Sequence, residues 1–406
     1  ALMPMPTANS SSYDRSYLVD VVSPQHMNPV FEWTDIMLRA IRDREITPPM
    51  ASRIIAMGHV AGFSAVNGIH RQYADTYGFG WAPAGTNALA AYHTAMDIAL
   101  SEAFQVSFYP QRRKLLARLA NSENKTLGIQ WGKKVGRQMV HMRAKDGSDP
   151  TKVNYYTGSY RPTRHVGSWE PTLPNFTAGI GPQVPSYHRP LFPGMGDIDP
   201  WIMGDKKLFR APPFLDFRSK SFADEYEEVK ELGAANSRTR TADQTQIALF
   251  WEDGPRGSTP PGHWLIITMQ LCQGRFSVYE LARIMALASI AQADAAISAW
   301  DSKYHYDILR PETAIRYRAR QLGNPDPRVQ RETGWTSLIN TPPFPAYTSG
   351  HSCFSGAGAR AIALALGTDR VKFSRFPTDL VNWRQLRGVT RNFSSIWQAA
   401  EENGQS

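Results

Sequence analysis

The chain has 406 residues, 42% of them hydrophobic and 20% charged, which is enough to bury a full core and excludes wholesale disorder. Its 30 Gly and 29 Pro are scattered without period, which excludes collagen-like and coiled-coil architectures. The two cysteines, Cys272 and Cys353, can form neither a disulfide scaffold nor a four-thiolate zinc site. Forty-five Lys and Arg against 36 Asp and Glu give a net charge of +9, a surplus that favours an anionic partner.

Residues 1–30 read as a polar N-terminal arm, Ser/Pro/Met-rich and without period. No basic start followed by an apolar run opens the chain, and it begins at Ala1 without an initiator Met, as a processed end would. Asn-X-Ser/Thr triplets at Asn9, Asn124, Asn175 and Asn392 tilt the expectation toward a secreted or extracytoplasmic glycoprotein. Helical patterning starts near Phe31, where Trp33, Ile36, Met37, Ala40 and Ile41 recur at spacings of three and four until Thr47-Pro-Pro interrupts them. Helices are expected over about 50–69, 86–104, 111–121 and 127–145. Between about 158 and 213, prolines and glycines crowd in beside Trp169, Phe176, Tyr187, Phe192 and Trp201, the texture of a long loop packed over a core.

Helices resume over 221–232 and 241–251. A Pro/Gly-rich turn then leads to His263-Trp264 and an apolar helix or short strand. The strongest helix is 276–307, apolar around nearly its whole circumference until Asp301, as expected of the centre of a bundle. Its run from Leu281 to Trp300 carries Arg283, Gln292 and Asp294, so a buried helix explains it better than a membrane span. Two later helices are expected, at 352–366 and about 393–402. Period-2 alternation is nearly absent, so the fold class is all-α, with residues 31–406 as one helical domain. The densest basic runs, Arg316 to Arg320 and Arg384 to Arg391, are short and broken by apolar residues; they read as solvated surface, with no nucleic acid expected.

Two segments carry chemistry. The first is Trp300-Asp-Ser-Lys-Tyr-His-Tyr-Asp-Ile-Leu-Arg-Pro311. Lys303 and Arg310 are seven apart, about two helical turns and nearly one face, and Pro311 disfavours helix at Arg310. Two cations at the buried end of an apolar helix repel each other and are costly to desolvate, unless an anion lies between them. The same spacing also suits a surface pair that snorkels to water, or an arginine paired with Asp301 or Asp307.

The second is Pro342-Pro-Phe-Pro-Ala-Tyr-Thr-Ser-Gly-His-Ser352, which runs directly into a helix. Ser349 and Gly350 stand where free backbone N–H groups and the helix dipole favour an anion, and His351 beside them can move a proton near neutral pH. A helix-capping histidine in a Pro-rich turn is the plainer alternative. A nucleophilic Ser349 is disfavoured, because no G-x-S-x-G elbow surrounds it. Together the lysine, the arginine, the Ser-Gly turn and the histidine are what binding a multiply charged oxyanion requires.

Lys303-x6-Arg310-Pro311 followed by Ser349-Gly350-His351 resembles the vanadium-dependent haloperoxidase and type-2 acid phosphatase (PAP2) superfamily, and most closely its haloperoxidase-like members. The likeness extends to Phe250-Trp-Glu-Asp-Gly-Pro, Pro260-Pro-Gly-His-Trp264, Ala291 to Trp300 and Ala399-Ala-Glu-Glu-Asn-Gly404, and to Thr47-Pro-Pro-Met-Ala-Ser-Arg53 and Ala65-Val-Asn-Gly-Ile69. It implies a helical bundle that holds vanadate, or phosphate in the phosphatase relatives, through Lys303, Arg310, Ser349 and the Gly350 amide. His351 is implied as the acid–base residue assisting peroxide. The implied activity is oxidation of halide by hydrogen peroxide to a hypohalite-like species that attacks a small organic substrate. Phe344 and Trp300 are candidates for the wall beside the halide, with packing the plainer role.

The sequence departs from the family pattern twice. Thr348 stands where the family usually has Pro before Ser-Gly-His. The family's third motif, a further oxyanion-binding Arg and then a His bonded directly to vanadium, follows the Ala-Ala-Glu-Glu-Asn-Gly stretch, whereas His351 is the last of the ten histidines here. No direct vanadium ligand is therefore expected within residues 1–406; the ligand His is expected after Ser406. The expectation is a haloperoxidase whose site is completed by a C-terminal segment or a second fragment of the same precursor. A phosphomonoesterase on the same scaffold and a non-catalytic structural or surface relative stay open, as does homo-oligomerisation.

Overall fold

The computed structural model describes residues 28–148, 160, 163, 165–170, 190–254, 256–377 and 383–406. The N-terminal arm, save its last residues, and Phe176 and Tyr187 of the long loop lie outside them. Helix α1, Pro29–Asp43, starts where the Asn28 side chain accepts from the Val30 amide, and it buries Trp33, Met37 and Ile41 along one stripe. Helices α2 (Pro48–His70), α3 (Ala88–Phe104), α4 (Tyr109–Leu116) and α5 (Glu123–Arg143) follow. Gly128, Gly132 and Gly136, one turn apart, let α5 lie directly on α3; a Cβ at Gly132 would sit 2.4 Å from the Ala91 carbonyl oxygen. Helix α4 ends at Leu116, short of its expected end near 121.

The second half contains α6 (Lys220–Gly233), α7 (Ala242–Trp251), α8 (Thr259–Cys272) and the 29-residue α9 (Val278–Tyr306). His263-Trp264 thus lies on a helix rather than a strand. A capping box of Ser277 and Glu280 opens α9, and a left-handed Asp307 closes it, one residue inside the expected limits at the C-terminal end. It is the one helix among the described residues long and apolar enough to cross a membrane, and most of its apolar surface is buried inside the protein. Its flanks join two apolar clusters: Ala286, Ile290 and Ala293 pack with α2, α3 and α5, while Leu281, Met285 and Ala288 pack with α1, α8 and the C-terminal helices.

After α9 a short helical segment, 311–322, was not foreseen; it packs Ala314, Ile315 and Ala319 against Phe222 and Tyr226 of α6. Helix α10, Gly350–Leu366, starts two residues earlier than expected because Ser349 caps it. A small antiparallel hairpin, β1 (Phe373–Arg375) paired with β2 (Arg391–Phe393), also escaped the pattern, and Phe393 therefore lies in a strand. Helix α11 (Ile396–Gln405) then starts after the Ser395 cap and runs to Ser406, whose amide donates to the Asn403 carbonyl. The basic runs are partly neutralised: Arg318 pairs with Glu170, and Arg391 with Asp243 and Glu402.

Candidate oxyanion site

The site assembles at the C-terminal end of α9. Lys303, on its last turn, is 1% exposed, and its ammonium donates to the carbonyls of Pro345 (3.0 Å) and Ala346 (3.1 Å). Beyond α9 the chain is strapped in place. The Asp307 carboxylate accepts from the Tyr160 hydroxyl and from Thr163, the Leu309 amide donates to Gly167 O, and the Ala346 amide donates to Ile308 O. Arg310 is therefore not on the final turn of α9. It caps the following segment in extended backbone, as a residue before Pro prefers, and the turn at Asp307 swings it back toward Lys303.

Phe344 lies between the two cations, with Lys303 Nζ 4.7 Å and Arg310 Cζ 5.4 Å from its ring centre. Trp300 closes the wall 5.3 Å from Phe344. Neither cation forms an ion pair among the described residues: Asp301 is held by Arg210 at 2.6 and 2.8 Å, and Asp307 is committed to Tyr160 and Thr163. The surface-pair and carboxylate-pair alternatives are thus set aside. Burial drives the Lys303 pKa well down, with Arg310 adding repulsion. Burial also lowers Arg310 to about 10, against a smaller opposing pull from Glu312. The Arg310 Nε is buried with no hydrogen-bond partner among the described residues.

Ser349 caps α10 by accepting from the Ser352 amide at 3.2 Å. At Gly350 a Cβ would come within 3.2 Å of the Trp300 ring, so any side chain here would press tightly on the indole. His351 is not the cap; its Nε2 donates to the Glu252 carbonyl at 3.1 Å, which leaves Nδ1 as the acceptor of the neutral ring. Burial lowers its pKa, opposed by the nearby Asp253 carboxylate, and Lys303 is close enough to add to the lowering. Lys303, Arg310, Phe344, Trp300, Gly350 and His351 accordingly converge. The vanadium-ligand His expected after Ser406 lies outside the described residues, which end at that serine.

Residues 283–406 match the family model described as "VCPO second helical-bundle domain". The whole fold superposes on a bacterial vanadium-dependent iodoperoxidase with a TM-score of 0.73 and 24% identity, covering 94% of this chain and 90% of that one. Residues 283–406 thus match that helical-bundle family model, and the fold is the one seen in bacterial vanadium-dependent haloperoxidases. An apo-type bacterial vanadium-dependent chloroperoxidase superposes with a TM-score of 0.66 and 17% identity over 88% of both chains. Vanadium chloroperoxidase of Curvularia inaequalis is 29% identical over 238 residues, which is 49% of this chain and 37% of that protein. The matched part thus spans little more than a third of the curated relative.

The superfamily's oxyanion suits the residues present. Two desolvated cations with no ion-pair partner among the described residues, a guanidinium N–H left unpaired among them and a helix N-terminus all select for an anion. No cluster of three or more His, Cys, Asp or Glu fit to hold a metal cation exists among the described residues. Several neighbours were not singled out from the sequence as site residues. Asp253 accepts from His263 Nδ1 at 2.9 Å with both side chains fully buried, and His263 stacks on Trp251. Cys353 lies near Lys303, one turn into α10. Arg375, 4% exposed, has an unpartnered Nε. Asp253 and His263 sit inside the family-like Phe250 and Pro260 stretches, which could have flagged them; nothing local marks Arg375.

Proposed function

We propose that this protein is a vanadate-dependent haloperoxidase that converts halide and hydrogen peroxide to hypohalous acid, H2O2 + X⁻ + H⁺ → HOX + H2O, for attack on a small organic substrate. The observation that supports this best is the buried Lys303 and the half-buried Arg310, neither in an ion pair among the described residues, near a helix N-terminus with a histidine beside it. Lys303 and Arg310 neutralise the charge on the oxyanion's oxygens, and the Ser349 hydroxyl and the Gly350 N–H donate to them. Bound vanadate supplies Lewis-acid activation of peroxide. His351, kept neutral by burial, takes a peroxide proton and returns one to the departing oxygen, so the single proton in the balance enters as water forms. Phe344 and Trp300 keep bulk water from the cations, which strengthens every charge interaction there.

The further Arg and the vanadium-bonding His that the resemblance implies would have to reach the site beside α11. Gly404 of α11 lies beside Ser352, and the buried Asn403 has neither side-chain polar atom paired, so that helix end faces the start of α10. The test is a side-by-side assay of the full-length product with orthovanadate, peroxide and iodide or bromide, and with p-nitrophenyl phosphate. Vanadate-dependent halide oxidation supports the reading. Phosphate-ester hydrolysis with no halide oxidation replaces it with a phosphatase, and neither activity replaces it with a binding role.

A further inference from the structure

A cavity of about 180 Å³ opens between α2, the first half of α9 and loop 71–81, away from the oxyanion site. Arg283 on its wall precedes Lys303 by twenty residues on one straight helix, about 30 Å along the axis. Phe63, Tyr73, Tyr77 and Trp81 supply aromatic walls, and Arg283 and Asn67 supply polar groups.

The loop is built rigidly. Asn67 donates to Tyr73 O (3.0 Å) and accepts from the Tyr73 amide (3.1 Å) and the Tyr279 hydroxyl (2.7 Å). The Asp75 carboxylate takes the Phe79 and Gly80 amides at 3.0 and 2.6 Å. Its walls are therefore fixed before any ligand arrives.

Two polar groups have no partner among the described residues to explain them. The Arg283 guanidinium lies 4.4 Å over the Tyr73 ring and forms no ion pair among the described residues. The Tyr77 hydroxyl is buried without a hydrogen-bond partner, and burial together with Asp294 holds it protonated. A guanidinium merely snorkelling to water would explain the first group and leave the second unexplained. Trp81, 44% exposed, stands at the rim with Arg71 near its face.

We propose that this cavity is a second ligand site, for a one-ring aromatic carboxylate. A cavity of about 150 Å³ already accepts benzene, so the space suits a single ring with one small substituent. The planar Arg283 fork matches a carboxylate, the ring stacks among Phe63, Tyr73 and Trp81, and Tyr77 donates a further hydrogen bond. The site does not depend on the haloperoxidase reading.

Benzoate titrated into the full chain, followed by calorimetry and by quenching of Trp81 fluorescence, is the test. The expected Kd is about 0.1–1 mM, with neutral benzamide at least tenfold weaker. Arg283→Gln is expected to weaken benzoate tenfold or more, and Trp81→Phe to abolish the fluorescence change. Should Arg283→Gln fail to fold by circular dichroism, Tyr77→Phe takes its place, with a loss of several-fold expected. Saturating orthovanadate is expected to leave benzoate affinity unchanged. The proposal is overturned by no binding at 10 mM, by equal affinity for benzamide, by binding indifferent to the folded Arg283 or Tyr77 variant, by displacement with vanadate, or by a dimer that buries Trp81.

Discussion

Lys303 shows most directly how function opposes stability at single residues. Its ammonium is buried against two carbonyls and an aromatic ring, with a second cation nearby and no counter-ion among the described residues. Lys303→Met forfeits two charge-assisted carbonyl hydrogen bonds, about 3–6 kcal/mol together, but relieves the several kcal/mol that desolvating the ammonium costs. Its stability in urea is therefore expected to stay within about 1 kcal/mol of wild type while oxyanion binding is lost; a loss of about 3 kcal/mol or more would make the lysine a structural group instead. His351→Ala is expected to spare oxyanion binding and lower turnover by about 10² or more, measured as halide oxidation in the completed enzyme. A turnover within twofold of wild type would remove His351 from the chemistry.

Among the elements, the N-terminus of α10 and the α2–α3 pair carry separable consequences. Gly350→Ala places a methyl 3.2 Å from the Trp300 ring, so the helix start must shift against the wall. The expected cost is about 1 kcal/mol in a denaturation curve, with weaker oxyanion binding. On α2 and α3, burial lowers His59 to about 3 and His93 to about 4, and His93 Nδ1 must stay unprotonated to accept from Trp33 Nε1 at 2.9 Å. Their folded pKa values lie below the unfolded value near 6.5, so the unfolded chain binds more protons between about pH 4 and 6.5. Stability contributed by the neutral rings is thus full above about 6.5 and falls as the pH drops through that window. Each accounts for about 2 kcal/mol between pH 7 and pH 5. His59→Leu should shrink the measured loss over that interval by about this amount, and an unchanged loss would refute the assignment. Asp35, Asp97 and Asp294, whose pKa values burial raises, act in the opposite sense and are common to both proteins.

These same elements show what local pattern conveys. Helices α2, α3, α9 and α10 were legible because many apolar residues recur at helical spacing and a capping type, Thr47, Asn87, Ser277 or Ser349, stands before each. The segment 311–322 and the β1–β2 hairpin were not, since they are short and hold their shape by contacts far away in sequence: Ile315 on α6, and Phe373 on Phe393. The seven-residue spacing of Lys303 and Arg310 pointed to the right partners through the wrong geometry, because Asp307 ends the helix between them.

At the scale of the molecule, α9 is the beam that joins the two halves, and the oxyanion site lies where its C-terminal end meets the start of α10. Motifs 303–310 and 349–351 were readable because each is local. Asp253, His263 and Arg375 reach the neighbourhood only through the packing of α7, α8 and the hairpin, which no local pattern encodes. What these segments share is a pair of cations, Lys303 and Arg310, held either side of Phe344 near the start of α10. The most direct measurement is therefore a ⁵¹V NMR or equilibrium-dialysis titration of orthovanadate into the wild-type protein, Lys303→Met and Arg310→Gln. One vanadate bound per chain, with affinity falling at least tenfold in either variant, is the predicted result; no binding by the wild type, or equal binding by all three, would contradict it.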